Sequence, residues 1–188
     1  MSGRFINIAR WISRSRANGP GERFVLWVQG CGLACEGCWN PDTWSFAPRQ
    51  LLTPDQLLRE VDRAGGIEGI TLSGGEPFTQ AEALVPFVES VRSRGLSVLV
   101  FTGFERAELR SRVASRLLAL TDVLVAGRYD HTQVAKGLRL LGSQNQRIHF
   151  LSGRYGPEDL DDVARCEAHI APDGVVTWTG FPGEFVNE

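Results

Sequence analysis

Three cysteines, Cys31, Cys35 and Cys38, fall within eight residues in the spacing Cys-x3-Cys-x2-Cys. Thiolates are soft ligands that select iron-sulfur clusters, zinc or cuprous copper, and three on one short loop can converge on one centre without help from distant chain. A fully ligated cubane or a structural zinc takes a fourth protein ligand. None lies nearby, since Cys166, His131, His149 and His169 are all remote in sequence. A four-iron cluster held by three cysteines keeps one iron open to an exogenous ligand, as catalytic zinc sites keep an open position. An open iron points to chemistry instead of stapling.

Two other chemistries use the same thiols. Structural zinc with Cys166 as fourth ligand would make the chain a binding module. Cys35-x-x-Cys38 alone would be a dithiol redox pair, which leaves Cys31 without a task. A second candidate lies downstream, where a strand predicted over residues 68–73 runs into Gly74-Gly75-Glu76-Pro77. Glycines at the carboxyl end of a strand let backbone approach a ligand closely, although such a turn is more often only a turn.

These groups need a scaffold, and the composition bounds it. The chain has 188 residues, 43% hydrophobic and 22% charged, with a formal charge of -2. That describes one ordinary globular domain with a core that needs no disulfides. The charge gives no reason to expect nucleic acid or an anionic membrane as partner, and no run approaches the ~20 apolar residues of a membrane span. Four cysteines with three of them crowded do not form a secreted disulfide framework, so a reducing compartment, the cytoplasm, is expected. Residues 4–16 carry arginines and no acid, but they lack a continuous apolar core and alternate like a first strand.

A turn at Asn18-Gly-Pro-Gly21 precedes a strand over 23–28 that delivers the chain into the cysteine loop. Thr53-Pro54-Asp55-Gln56 predicts a capped helix ending near Ala64. Next come a helix over 81–94, a strand over 96–101, a helix from Glu105 to about Leu120 and a strand over 122–126. This alternation predicts an α/β fold with a mostly parallel sheet covered by helices, whose ligands sit at the carboxyl ends of the strands. After a polar stretch, Gly142-Ser-Gln-Asn-Gln146, residues 1–151 form the core domain and 152–188 an extension packed on it. The extension is predicted as a helix over 157–168 and a hairpin pairing 168–171 with 175–179 around Pro172-Asp173-Gly174.

The cysteine spacing resembles the signature of radical S-adenosylmethionine (SAM) enzymes. Gly30, Gly37, Asn40, Thr43 and Trp44 around it resemble the anaerobic ribonucleoside-triphosphate reductase activating proteins of the glycyl-radical-enzyme activase group. Asn-Gly-Pro-Gly, Ser-Gly-Gly-Glu-Pro, Phe-Thr-Gly-Phe and Gly-Ser-Gln-Asn-Gln extend the likeness over roughly residues 16–151. Where the related proteins usually carry aspartate, this chain has Ala126.

The resemblance implies a partial (β/α) barrel and a [4Fe-4S] cluster on Cys31, Cys35 and Cys38. It also implies a cofactor site for SAM from Gly37, Trp39, Asn40, Ser73, Gly74, Gly75, Glu76, Thr102 and Arg128. In that group the open iron takes the amino and carboxylate groups of SAM, and reductive cleavage gives a 5'-deoxyadenosyl radical. The implied partners are a glycyl-radical enzyme such as anaerobic ribonucleotide reductase and a flavodoxin- or ferredoxin-type electron donor. The same cofactor motifs would also serve an enzyme that modifies a peptide or small molecule.

Overall fold

The computed structural model describes residues 5–170 and 173–181. Nine strands and three α-helices lie among the described residues. In chain order the elements are β1 (Ile6–Ser15), β2 (Arg23–Val28), β3 (Gln50–Leu52), α1 (Pro54–Ala64), β4 (Gly69–Gly74), α2 (Ala81–Ser93), β5 (Ser97–Thr102), α3 (Arg112–Ala119), β6 (Val123–Ala126), β7 (Arg147–Phe150), β8 (Cys166–Ile170) and β9 (Val176–Gly180).

Seven strands form one sheet in the order β3-β1-β2-β4-β5-β6-β7. Its centre, β2-β4-β5-β6, is parallel, while β1 runs antiparallel to both β2 and β3, and β7 antiparallel to β6. The fold is therefore α/β with a mostly parallel sheet, as the alternation of elements predicts. The registers Val28↔Gly74, Leu72↔Val100 and Thr102↔Ala126 bring the carboxyl ends of the four parallel strands to one edge. The cysteine loop and the glycine turn both emerge from that edge.

The strand residues alternate between two cores, as a period of two requires. Phe24, Leu26, Ile70, Leu72, Val98, Val100 and Leu124 pack against Leu57, Leu58 and Val61 of α1, the apolar stripe of α2 and Leu117 of α3. On the other face Leu99, Val123 and Val125 pack against Leu140, Leu160 and Val163 from the later loops. The three α-helices thus contribute to the first core, and irregular chain covers the second. Both faces are covered, which is why the central strands read as nearly unbroken apolar runs.

Local chemistry explains where helices start. Thr53 accepts from the Gln56 amide while Gln56 accepts from the Thr53 amide, the predicted capping box, with Pro54 in the first turn. The predicted helix from Glu105 to Leu120 needs correction. It is a 3-10 turn, Arg106–Glu108, with α3 after it. Ser111 stands in extended backbone and accepts from the Ala114 amide, so its side chain starts a new helix in the middle of the periodic pattern.

The predicted helix over 157–168 also differs. A single 3-10 turn, Pro157–Leu160, precedes β8, which pairs antiparallel with β9. Cys166, expected on that helix, therefore begins a strand, because the run from Cys166 finds backbone partners in β9 that outweigh its weak helical periodicity. In the turn, Asp173 accepts from the Val175 amide at 3.1 Å, and Gly174 takes φ +85°. Ala171, predicted to end the first hairpin strand, and Pro172 of the predicted turn lie outside the described residues.

Asn18-Gly-Pro-Gly21 precedes β2 and so lies toward the end of the parallel strands opposite to the cysteine loop. Gly19 packs on Arg23, whose Cδ would be 2.8 Å from a Cβ there, and Gly21 packs on Glu68. Arg23 is fully buried, and its guanidinium donates to Thr71 Oγ1 (2.8 Å), Pro20 O (3.0 Å), Ile70 O (2.6 Å) and Ser97 Oγ (3.0 Å). Tyr155 joins this network by donating its hydroxyl hydrogen between Glu68 Oε1 and Ser97 Oγ, each 2.7 Å away. No helix among the described residues is long and apolar enough to cross a membrane.

Candidate functional site

The chain leaves β2 through Gln29 and Gly30 into the cysteine loop, and the loop is anchored to residues 43 and 44 beyond it. Gly30 N donates to Thr43 O (2.7 Å) and Cys31 N to Trp44 O (3.0 Å). Within the loop, Cys38 N donates to Cys35 O (3.1 Å), and Ala34 is held at φ +46°, a conformation rare for a residue with a Cβ. Asn40 N points at Cys38 Sγ at 3.4 Å, while Asn40 Oδ1 accepts from Arg10, whose guanidinium stacks 4.9 Å above the Trp27 ring.

The Gly74-Gly75-Glu76 turn closes on this loop from β4. Gly75 N donates to Val28 O (2.8 Å) and Glu76 N to Gly30 O (2.9 Å). A Cβ on Gly75 would stand 2.4 Å from Gly30 O, and one on Gly74, at φ +98°, 2.6 Å from Val28 N. The glycines are thus required by the close approach of two backbone segments.

Glu76 is 1% exposed and organises the next strand end. It accepts from Phe78 N (3.0 Å) and Thr102 Oγ1 (2.9 Å) on one oxygen and from Gly103 N (2.8 Å) on the other. Burial, outweighing these hydrogen bonds, pushes its carboxyl up to about 7. The folded protein then holds this proton more tightly than the unfolded chain. The contribution to stability is complete below the unfolded value of 4.5 and is lost as pH rises through about 7. In cofactor-free protein, urea unfolding is expected to show a decline of up to about 3 kcal/mol between about pH 5 and about pH 8. The Glu76→Gln variant should lack this slope, and a flat wild-type profile would show the carboxyl to be ionised throughout.

These segments line one open cleft. Cys31, Cys35, Cys38, Trp39, Asn40, Ser73, Gly74, Gly75, Glu76 and Thr102 all line it. Gly37 and Arg128 are not among its lining residues. Gly37, at φ +70°, packs against His131, and Arg128 makes a bidentate pair with Glu108 at 2.8 and 3.0 Å. Ala126 is fully buried in the helix-side core and so offers the cleft no polar group.

Several lining residues carried no local sequence signal: Leu33, Tyr129 and Phe181. The Gly142-to-Gln146 stretch is a brace. Gln146 donates to Gly127 O (2.9 Å) and accepts from Gly142 N (2.9 Å), Asn145 donates to Arg128 O (2.8 Å), and buried Ser143 accepts from Asp130 N (3.1 Å).

The donor set fits an iron-sulfur group. Three free thiols line one cleft, and the buried indole N–H of cleft-lining Trp44 lacks an acceptor among the described residues. No three His, Cys, Asp or Glu side chains among the described residues converge as a single-ion site. A cubane does not ask for this, because each thiolate takes its own iron corner. Cys166 is outside the cleft lining, so the zinc reading lacks its fourth ligand there.

Comparison with known proteins places this arrangement in an iron-sulfur class. The profile of the 4Fe-4S single cluster domain matches residues 17–149. The anaerobic ribonucleoside-triphosphate reductase-activating protein of Haemophilus influenzae is 34% identical over 152 residues, covering 77% of this chain and 97% of the relative. That of Escherichia coli is 33% identical over 142 residues, covering 71% and 92%. A pyruvate formate-lyase-activating enzyme from Clostridium pasteurianum is 39% identical over 97 residues, 48% of this chain and 40% of the relative. The chain belongs to the 4Fe-4S single cluster domain family and, within it, to the anaerobic ribonucleoside-triphosphate reductase-activating protein group.

Proposed function

We propose that this protein is a radical SAM activase that generates a glycyl radical on a partner enzyme of the anaerobic ribonucleotide reductase type. The observation that carries the reading is the convergence of the cysteine loop and the Gly-Gly-Glu turn on one cleft at the carboxyl edge of a parallel sheet. The scaffold corresponds to a partial (β/α) barrel, with the helices outside. Cys31, Cys35 and Cys38 would hold a [4Fe-4S] cluster that also takes SAM as a ligand. When bound, this pair of groups supplies an electron and a sulfonium whose cleavage gives a 5'-deoxyadenosyl radical.

The chain's own residues bind, orient and shield. Glu76 and the backbone of Ser73, Gly74 and Gly75 form the wall for the amino-acid end of SAM. Thr102 spends its hydroxyl on Glu76 and so acts by orienting that carboxylate. Trp39 lines the cleft, and Asn40 presents its amide to the Cys38 sulfur. Gly37 shapes the loop, and Arg128 is held at the rim by Glu108. A flavodoxin- or ferredoxin-type protein delivers the electron, and the hydrogen donor is a glycine α-carbon of the partner.

The test is anaerobic incubation with dithionite, SAM and the partner reductase. Release of 5'-deoxyadenosine together with a glycyl-radical signal by electron paramagnetic resonance supports the reading; release without any partner radical would redirect it to a peptide or small-molecule substrate. A sharper check is Gly75→Ala. Pushing the Glu76 turn away from Gly30 misplaces the two halves of the site, and cleavage should fall about 100-fold while circular dichroism stays that of wild type.

A further inference from the structure

The extension after residue 151 enters the site. The Ser15 hydroxyl donates to Glu167 (2.6 Å), Arg16 N to the same carboxylate (2.9 Å) and Asn18 Nδ2 to Thr179 Oγ1 (2.8 Å), which ties the β8–β9 hairpin to the β1–β2 connection. Ala164 N donates to Arg16 O (3.0 Å) and Phe181 N to Arg165 O (2.6 Å). Gly180, at φ +89°, lies so close to the core that a Cβ there would be 2.8 Å from that of Ala17. These contacts aim the next side chain, Phe181, into the cleft.

There the Phe181 ring lies 5.4 Å from Trp39 and 6.0 Å from Phe101, and Trp39 meets Tyr129 edge-on at 6.4 Å. Tyr129, Trp39, Phe181 and Phe101 form a row that crosses from the segment after β6, over the cysteine loop, to the cleft-facing side of β5. On that side of the sheet, Leu99, Val123 and Val125 are sealed by Leu140, Leu160 and Val163. All four rings line the same cleft as Cys31, Cys35 and Cys38.

Resting on the proposed activase function, we propose that Phe181 is a specificity-determining residue: it limits the depth of the cleft so that the donor it admits is a slender peptide stretch centred on glycine. A residue with a bulky side chain at the reacting position meets the aromatic row. Replacing Phe181 removes the stop without touching a thiolate, so the donor is held less well while the cofactors remain seated.

The test compares wild-type, Phe181→Ala and Phe181→Leu holoenzymes for iron and sulfide content, SAM binding by equilibrium dialysis, and 5'-deoxyadenosine released per glycyl radical formed on the partner reductase. Wild-type cluster content with an uncoupling ratio raised at least about tenfold in Phe181→Ala, and less in Phe181→Leu, is the expected result. Should the alanine variant fail to load its cluster, the leucine variant, which keeps most of the volume, decides. A ratio within about twofold of wild type in the loaded variants overturns the assignment of Phe181 alone, since pocket contacts that discriminate between substrates are worth about tenfold or more. No deoxyadenosine from the wild type would instead overturn the activase reading and this inference with it.

Discussion

Cys35→Ala is expected to emerge folded, without iron-sulfur absorbance, and with 5'-deoxyadenosine formation at background. Loss of groups that merely support a metal ligand costs about 10–100-fold, so loss of a ligand itself should exceed that range. Its sulfur lines the cleft beside Cys31 and Cys38, whereas Cys166 begins β8 outside the lining. Cys166→Ala is therefore the matched control, with cluster content and turnover as in wild type. Iron and sulfide analysis distinguishes the two variants directly. Retention of a full cluster in Cys35→Ala would remove the three-thiolate proposal.

The second large effect belongs to the opposite end of the strands and to folding. Arg23→Ala removes a fully buried guanidinium and strands the acceptors of Thr71, Pro20, Ile70 and Ser97. Nearby Glu68 and Asp122 lose a compensating positive charge as well. Deleting one member of a buried charged network costs about 3–5 kcal/mol, a large part of the roughly 5–15 kcal/mol that holds a domain folded. Arg23→Lys keeps the charge but not the planar fork, so its stability should fall between those of wild type and Arg23→Ala. Urea denaturation reads this directly. Activity per folded molecule should be unaffected, because Arg23 is not among the cleft's lining residues.

Local chemistry made much of this legible in the sequence. The capping box at Thr53 and the apolar runs of β2, β4, β5 and β6 act over a few residues, and each is found where its pattern puts it. The cysteine spacing and the Gly-Gly-Glu turn were equally local, and the sheet brings them together. What escaped depended on partners far away in sequence or on a single side chain that overrides a pattern. Helical periodicity ran straight through Ser111, where a side-chain cap restarts the helix. The stretch around Cys166 chose a strand because β9 was there to pair with it. Phe181 reaches the cleft only through hydrogen bonds between β8, β9 and residues 15–18, contacts that no periodicity announces.

The two backbone bonds from Gly75 and Glu76 to Val28 and Gly30 carry a consequence for anyone who would move this chemistry to another scaffold. The two signatures are halves of one interlocked knuckle spanning adjacent strands. A chimera that receives the thiol loop alone inherits ligands with nothing to seat against; the smallest portable unit is the pair of neighbouring strands with both of their outgoing loops.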